Sequence, residues 1–179
     1  MHTLTTRVMA EDDIAELVEL LRANREFLAP WDPVRYDDYY TAEGQLDFLR
    51  TALAGTTTVP MVIVVDGRIA GRVTVNNIVR GAFESCSLGY WVAADHNGKG
   101  VATAAVGAAV RYAFEELRLH RAEAGTLVHN VASQRVLERN GFTRFGMAPR
   151  YLRIAGRWQD HVLFQRLNES LETPDRTSS

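Results

Sequence analysis

The sequence has little cysteine and no long apolar run. Its single cysteine, Cys86, excludes a disulfide framework and a cysteine-rich zinc site. No window approaches the roughly 18 uncharged apolar residues of a membrane-spanning helix. The N-terminus lacks the apolar run behind a basic start that marks a signal peptide. The histidines lack metal-ligand spacing, so we predict no metal site and expect a soluble cytoplasmic protein.

Charge of neither sign dominates. Lys plus Arg number 20 and Asp plus Glu number 22 in 179 residues, which gives a formal net charge of −2. General nucleic-acid binding needs a strongly basic face, so we predict no direct nucleic-acid contact. The length fits one domain with its own core, and no internal repeat is present. We assign residues 1–167 to that domain and the polar residues 168–179 to a mobile C-terminal tail.

Hydrophobic periodicity predicts alternating strands and helices. The predicted strands are Leu4–Met9, Val59–Val65, Ile69–Val79, Phe83–Ala93, Arg121–Leu127, Phe142–Ile154 and Arg157–Leu167. The predicted helices are Glu11–Arg25, Thr41–Ala54, Val101–Leu117 and His129–Arg139. The aromatic-rich segment 27–40 is predicted to be a loop. This order predicts an α/β fold, with one mixed, twisted sheet of about seven strands and helices on both faces.

A glycine loop, ADHNGKG, follows the predicted strand that ends near Val92 and precedes an alanine-rich helix. Gly98 and Gly100 carry no Cβ, so a ligand can approach the backbone closely. The first turn of a helix has free amide N–H groups and a partial positive charge. The loop therefore predicts an anion site, with Lys99 adding charge. The alternative is a tight turn that binds nothing, and Thr103, standing where a third glycine would be, argues against a dinucleotide fingerprint.

A second polar motif, HNVAS, spans residues 129–133 and opens the next predicted helix. Asn130 and Ser133 are residue types that cap helices, which is sufficient to explain either one alone. Asn140-Gly141 is the stop signal of the same helix. The combination of this motif with the upstream glycine loop is harder to explain by capping.

Together the two motifs resemble those of the GNAT family of acyl-CoA N-acyltransferases, and the element order is similar over essentially the whole chain. Residues 97–102 (NGKGVA) resemble the family's Gln/Arg-x-x-Gly-x-Gly/Ala motif, with Asn97 at the Gln/Arg position. Residues 130–142 resemble its Asn-x-x-Ser…Gly-Phe motif. Three further segments, Asn24–Arg35, Asn77–Tyr90 and Tyr151–Val162, resemble the RimJ/RimL branch, whose members acetylate the N-termini of ribosomal proteins.

The resemblance implies a cleft between two splayed central strands and acetyl-CoA as the cosubstrate. It implies that the pantetheine arm bonds to the edge of a central strand and that the pyrophosphate lies on amides of the glycine loop. The residues implied in binding coenzyme A are Trp91, Val92, Asn97, Gly98, Lys99, Gly100, Ala102, Thr103, Asn130 and Ser133. We predict direct attack in a ternary complex, with Cys86 a small core residue rather than an acyl acceptor.

The sequence departs from the family at Leu137, where many members have a tyrosine that protonates the leaving thiolate. Ser133 is the predicted substitute. The candidate general bases are Glu84, Glu123 and His129, and a structural or solvated role is the alternative for each. The residues predicted to line the acceptor pocket are Trp31, Arg35 and Tyr151, since loops on a rigid scaffold carry specificity.

An α-amine is the easier acceptor, because its pKa of about 7.7–8.0 lies below the lysine value of about 10.4. Removing its proton at pH 7 costs roughly 1–1.4 kcal/mol, against about 4.6 kcal/mol for lysine. By resemblance, the predicted acceptor is the N-terminus of a ribosomal protein. A small amine such as an antibiotic or polyamine, a non-catalytic CoA-binding sensor and a nucleotide-binding domain stay open as alternatives. An exposed sheet edge or the aromatic loop could also pair two subunits in a homodimer.

Overall fold

The computed structural model describes residues 3–171, and seven strands within this range form one mixed sheet. The strands are β1 (Leu4–Val8), β2 (Val59–Val65), β3 (Arg68–Val79), β4 (Ser85–Val92), β5 (Arg121–Leu127), β6 (Thr143–Ile154) and β7 (Arg157–Leu167). Their order across the sheet is β1-β2-β3-β4-β5-β7-β6. Strands β4 and β5 are parallel, and the other neighbours are antiparallel. The predicted fold class is confirmed.

Helices cover both faces of the sheet. They are α1 (Ile14–Ala23), α2 (Arg25–Leu28), α3 (Ala42–Ala54), α4 (Val101–Arg111) and α5 (Val131–Arg139). One apolar cluster joins α1 and α3 to Val62 and Ile69 on what we call the α1/α3 face. The larger cluster joins α4 and α5 to Val73 and Val75 on the α4/α5 face. No helix within the described range is long and apolar enough to cross a membrane.

Several predicted element boundaries were wrong because short helical turns or a helix cap lie at those positions. The predicted loop 27–40 contains the end of α2 and a 3-10 turn at Asp37–Tyr40. Helix α4 stops at Arg111 and continues as a π-helical turn, in which the Leu117 amide donates to the Tyr112 carbonyl at 3.1 Å. Helix α5 begins at Val131 because the preceding residue is its N-cap.

The predicted mobile tail begins too early. Asn168 is buried, and its Nδ2 donates to the Leu119 carbonyl at 3.0 Å. Residues Glu169–Leu171 then form a 3-10 turn. The rest of the predicted tail, residues 172–179, lies outside the described residues.

The parallel strands β4 and β5 separate part of the way along their length. They pair at Ser85–Arg121, Cys86–Ala122 and Ser87–Glu123, and no further. Beyond that point β4 stays paired with β3, and β5 stays paired with β7. Residues 88–92 and 124–127 therefore face each other across a widening gap, which we call the cleft. This is the predicted cleft between splayed central strands.

Candidate functional site

The glycine loop opens helix α4 at the mouth of the cleft. Gly100 is the N-cap of α4 with φ +79°, and Gly98 has φ +71°. A Cβ at either position would meet no protein atom within 4 Å. The first intrahelical bond joins the Ala104 amide to the Gly100 carbonyl at 3.0 Å. The amides of residues 101–103 precede that bond, so the end of the helix offers donors to an anion.

The predicted cofactor residues all come to one end of the sheet. They lie at the end of β4, in the loop after it and at the first turns of α4 and α5: Trp91, Val92, Asn97, Gly98, Lys99, Gly100, Ala102, Thr103, Asn130 and Ser133. The two helices are tied together because Asn140 Nδ2 donates to the Thr103 carbonyl at 3.0 Å. Each first turn follows one of the two separating strands, so both open at the cleft.

Ser133 forms a hydroxyl pair with Tyr90. The two hydroxyl oxygens are 2.7 Å apart, and the Tyr90 hydroxyl also lies 3.3 Å from the Ser133 carbonyl oxygen. Ser133 is held in place because its amide donates to Oδ1 of Asn130, the N-cap of α5, at 3.1 Å. Burial raises the pKa of Tyr90 to about 12, although the hydrogen bond with Ser133 acts in the opposite direction. Tyr90 is therefore a neutral hydrogen-bonding group at any physiological pH.

Sequence reasoning missed Tyr90. The position where the family often has a tyrosine is Leu137 in this chain. Leu137 has no hydroxyl, and its side chain is fully buried in the core. Tyr90 instead brings a phenol to α5 from strand β4. A signal existed, because Leu88, Tyr90 and Val92 alternate on the α4/α5 face of β4. A tyrosine in such an apolar row usually needs a partner for its hydroxyl.

Two of the candidate bases are glutamates near the N-terminal half of β4: Glu84 directly precedes the strand, and Glu123 lies on β5 opposite Ser87. Glu123 belongs to the last β4–β5 pair, at the base of the cleft, and its carboxylate forms an ion pair with Arg121. Glu84 precedes β4 and pairs with Arg80 at 3.1 Å. Six residues of extended chain, about 20 Å, separate Glu84 from Tyr90. Glu84 therefore stands just before the strand that borders the cleft and is remote from the Ser133–Tyr90 pair, and its role as a general base stays a prediction.

The predicted acceptor residues are partly brought together. The rings of Trp31 and His129 lie 5.6 Å apart, beside the start of α5. Tyr151 lies over the separating part of β5, because a Cβ built at Gly125 would be 3.6 Å from its ring. Trp31 and Tyr151 are both exposed. Arg35 forms an ion pair within its own loop and lines a separate cavity on the α1/α3 face.

Cys86 is buried on strand β4. Burial, and to a smaller extent the charge of Glu123, raises the pKa of its thiol to about 12. The thiolate, which is the nucleophile and the metal ligand, is therefore not populated at neutral pH. Among residues 3–171, no three His, Cys, Asp or Glu side chains come together as a metal ion would require.

Comparison with known proteins gives a consistent picture. A family model described as acetyltransferase (GNAT) domain matches residues 3–143. The chain is 38% identical over 171 residues to the probable N-acetyltransferase YjcK of Bacillus subtilis (strain 168), covering 93% of this chain and 94% of that protein. It is 35% identical over 179 residues to the ribosomal protein uS5-alanine N-acetyltransferase of Escherichia coli (strain K12), covering 97% and 90%. The structure of Mycobacterium smegmatis RimJ in complex with CoA-disulfide matches with a TM-score of 0.87 at 31% identity, covering 95% and 84%.

The buried thiol leads to a prediction about reactivity. Because its pKa is raised to about 12, Cys86 in the native protein should react with a thiol reagent only as fast as the protein unfolds. The rate of colour release from Ellman's reagent measures this, with denatured protein as the control. Cys86→Ala should keep kcat within about twofold while lowering the free energy of unfolding by about 1 kcal/mol. Fast labelling of the folded protein, or an acylated Cys86 found by mass spectrometry, would show that the thiol takes part.

Proposed function

Because the chain belongs to the GNAT family of acetyltransferases, we propose that it transfers the acetyl group of acetyl-CoA to the N-terminal α-amine of a protein, specifically a ribosomal protein. The acceptor is supported by the Escherichia coli relative, whose name specifies the alanine of a ribosomal protein and whose length is almost fully covered. The observation that carries the proposal is the cleft between β4 and β5, where a thioester and an amine can meet.

The glycine loop is suited to hold the diphosphate of coenzyme A. The amides of Ala102 and Thr103 lie in the first turn of α4, where no intrahelical acceptor is available. The bare backbone at Gly98 and Gly100 leaves the approach open, and Lys99 is exposed beside it. The backbone of β4 beyond Ser87 lacks a neighbouring strand on the cleft side, so its edge can bond to the pantetheine amides.

The pair Ser133 and Tyr90 is suited to protonate the leaving thiolate. When the Tyr90 hydroxyl donates to Ser133 Oγ, the Ser133 proton is free to point into the cleft. As the carbon–sulfur bond breaks, the Ser133 proton passes to sulfur and the Tyr90 proton moves to Ser133 Oγ. The proton that the attacking amine loses on forming the amide returns to the phenolate through solvent. Burial raises the pKa of Tyr90 to about 12, so the phenol still carries its proton at neutral pH when the thiolate leaves. The pair would thus take the role of the tyrosine that many family members have at the position of Leu137.

The amine needs only a weak base. An α-amine with a pKa of about 7.7–8.0 is partly neutral at physiological pH, so positioning does most of the work. Two candidate bases adjoin the cleft: Glu123 at its base and His129 beside Trp31. Attack is direct, because the buried Cys86 thiol is not available as an acyl carrier.

Family membership weakens two of the alternative functions but leaves the third open. Membership in a family of acetyltransferases argues against a non-catalytic sensor and against a nucleotide-binding domain. A small amine acceptor remains the competing substrate. Cytoplasmic location and a homodimer stay predictions from the sequence.

The glycine loop can be tested with a matched pair of variants. Gly100→Ala should weaken the binding of coenzyme A about tenfold or more, because its new Cβ projects toward the phosphates. Gly81 has the same φ of +79° and equally open space around a built Cβ, but lies in the β3–β4 turn. Both alanines cost about 1–2 kcal/mol of left-handed strain. Isothermal titration should therefore separate them, and equal affinity in the two variants would remove the loop from the binding site.

The hydroxyl pair predicts non-additive kinetics. Ser133→Ala should lower kcat roughly 100-fold and Tyr90→Phe by a smaller factor, with a much smaller change in the affinity for coenzyme A. The double variant should be no slower than Ser133→Ala, because the two groups act as a unit. The defect should shrink above pH 9, where a thiol of pKa about 8.5 leaves without a proton. Additive effects, or a pH-independent defect, would contradict the relay.

The acceptor is tested by direct competition. Purified protein, acetyl-CoA, a peptide beginning with alanine and spermidine are mixed, and the acetylated products are measured by mass spectrometry. The proposed function predicts that the acetyl group appears on the α-amine of the peptide. A control peptide with a blocked N-terminus and an internal lysine should stay unmodified, because the lysine amine is harder to deprotonate. Acetylation of spermidine alone would show that the enzyme modifies small amines.

A further inference from the structure

A cavity of about 540 Å³ lies on the α1/α3 face, next to the cleft. Its wall includes Gly89 and Trp91, which belong to the part of β4 that has left β5. The neighbouring strand contributes Arg72, Thr74 and Asn76. The cavity therefore adjoins the same strand edge as the cleft, and its volume falls within the roughly 300–1,000 Å³ typical of small-ligand sites.

The cavity contains a buried charge without a countercharge. Arg72 is 7% exposed, and both of its hydrogen-bond partners are neutral groups. One terminal nitrogen donates to Gln45 Oε1 at 2.8 Å and the other to the Tyr39 hydroxyl at 2.8 Å. The ring of Phe48 lies 5.1 Å from the guanidinium carbon. No carboxylate of residues 3–171 forms an ion pair with Arg72, and a guanidinium has five N–H donors, so donor capacity remains.

The partners of Arg72 are fixed in this arrangement. The Nε2 of Gln45 donates to the Tyr39 carbonyl at 2.7 Å, so its Oε1 must face Arg72. Gln45 is itself 1% exposed. The guanidinium is therefore held in one orientation before any ligand arrives, as a preorganised recognition group should be.

The carboxylates near the cavity do not neutralise Arg72. Asp32 pairs with Arg35 at 3.3 Å. Asp38 is exposed and accepts a hydrogen bond from the Tyr39 amide at 2.9 Å. The deepest charge on the wall is thus an unpaired cation. A buried charge is costly unless it is paired, and arginine pairs best with a planar carboxylate.

We propose that Arg72 binds a carboxylate of the acceptor. This inference rests on the proposed function and narrows it. The preferred acceptor is an N-terminal segment whose second or third residue is Asp or Glu. Arg72 pairs with Trp91 across β3 and β4, one strand spacing of about 4.8 Å from the strand that borders the cleft. One or two extended residues of the acceptor, at about 3.5 Å each, cover the distance from Arg72 to the cleft.

The same charge disfavours a polyamine. A polyamine entering this cavity would bring a second cation to Arg72, where like charges repel in a poorly solvated site. A free amino acid also has a carboxylate that Arg72 could bind, but this carboxylate is attached to the α-carbon that carries the amine. The test therefore needs an arm for each source of carboxylate.

The experiment compares kcat/KM for peptides that differ at one position. Peptides beginning Ala-Glu, Ala-Gln and Ala-Lys, and the same series varied at the third residue, are tested beside free alanine and free glutamate. The Glu peptide should be favoured over the Gln peptide about tenfold or more at one of the two positions. Arg72→Gln should bring the ratio of kcat/KM for the Glu peptide over the Gln peptide to about one, whatever loss of activity the two peptides share. Arg72→Lys should restore part of the preference for Glu, and Arg50→Gln, an exposed arginine on α3, should leave it intact.

The outcomes separate the two proposals. Acetylation of all peptides without a preference for Glu overturns the role of Arg72 and leaves the proposed function standing. Acetylation of free amino acids alone supports the carboxylate site but overturns the peptide acceptor, and acetylation of spermidine alone overturns both. If Arg72→Gln fails to fold in a thermal melt, the comparison of Glu, Gln and Lys peptides with the native protein still decides the question.

Discussion

The separation of β4 from β5 is the constraint on which the rest of the site depends. Three residue pairs hold the parallel strands together up to Ser87 and Glu123, and then each strand follows its other neighbour. The separation leaves backbone donors and acceptors on two facing edges, where a ligand that carries amides can bond. It also carries the starts of α4 and α5 to opposite sides of one opening. The glycine loop and the Ser133–Tyr90 pair would not face a common space if the strands stayed paired.

Local sequence was enough for most of the fold and for the glycine loop. Strands and helices follow from the alternation of apolar residues, and the positive φ at Gly98 and Gly100 follows from a turn that other residues rarely adopt. These features need no knowledge of distant contacts. The boundaries that failed depended on single bonds, such as the cap at Asn130 and the side-chain anchor of Asn168.

The rest of the site could not be read from neighbouring residues. Tyr90 and Ser133 are 43 positions apart, and Arg72 and Gln45 are 27 apart. The distinction between Glu84 and Glu123 depends on where β4 begins relative to the cleft, which is a matter of register. Leu137 shows the same limit. The sequence shows that this position lacks a hydroxyl, but only the packing of α5 against β4 shows that Tyr90 brings another hydroxyl to α5.

The alternation of β4 gives each face of the strand a separate task. Tyr90 packs on the α4/α5 face and contacts Ser133, whereas its neighbour Trp91 packs on the α1/α3 face, and the segment Gly89–Trp91 as a whole lines the cavity that contains Arg72. A strand places successive side chains on opposite faces, so one short segment can serve the leaving thiolate on one side and the acceptor on the other. A shift of one residue in the pairing of β3 with β4 would exchange these faces and disrupt both. The register that begins at Ser85 therefore links the proposed chemistry of transfer to the proposed choice of acceptor.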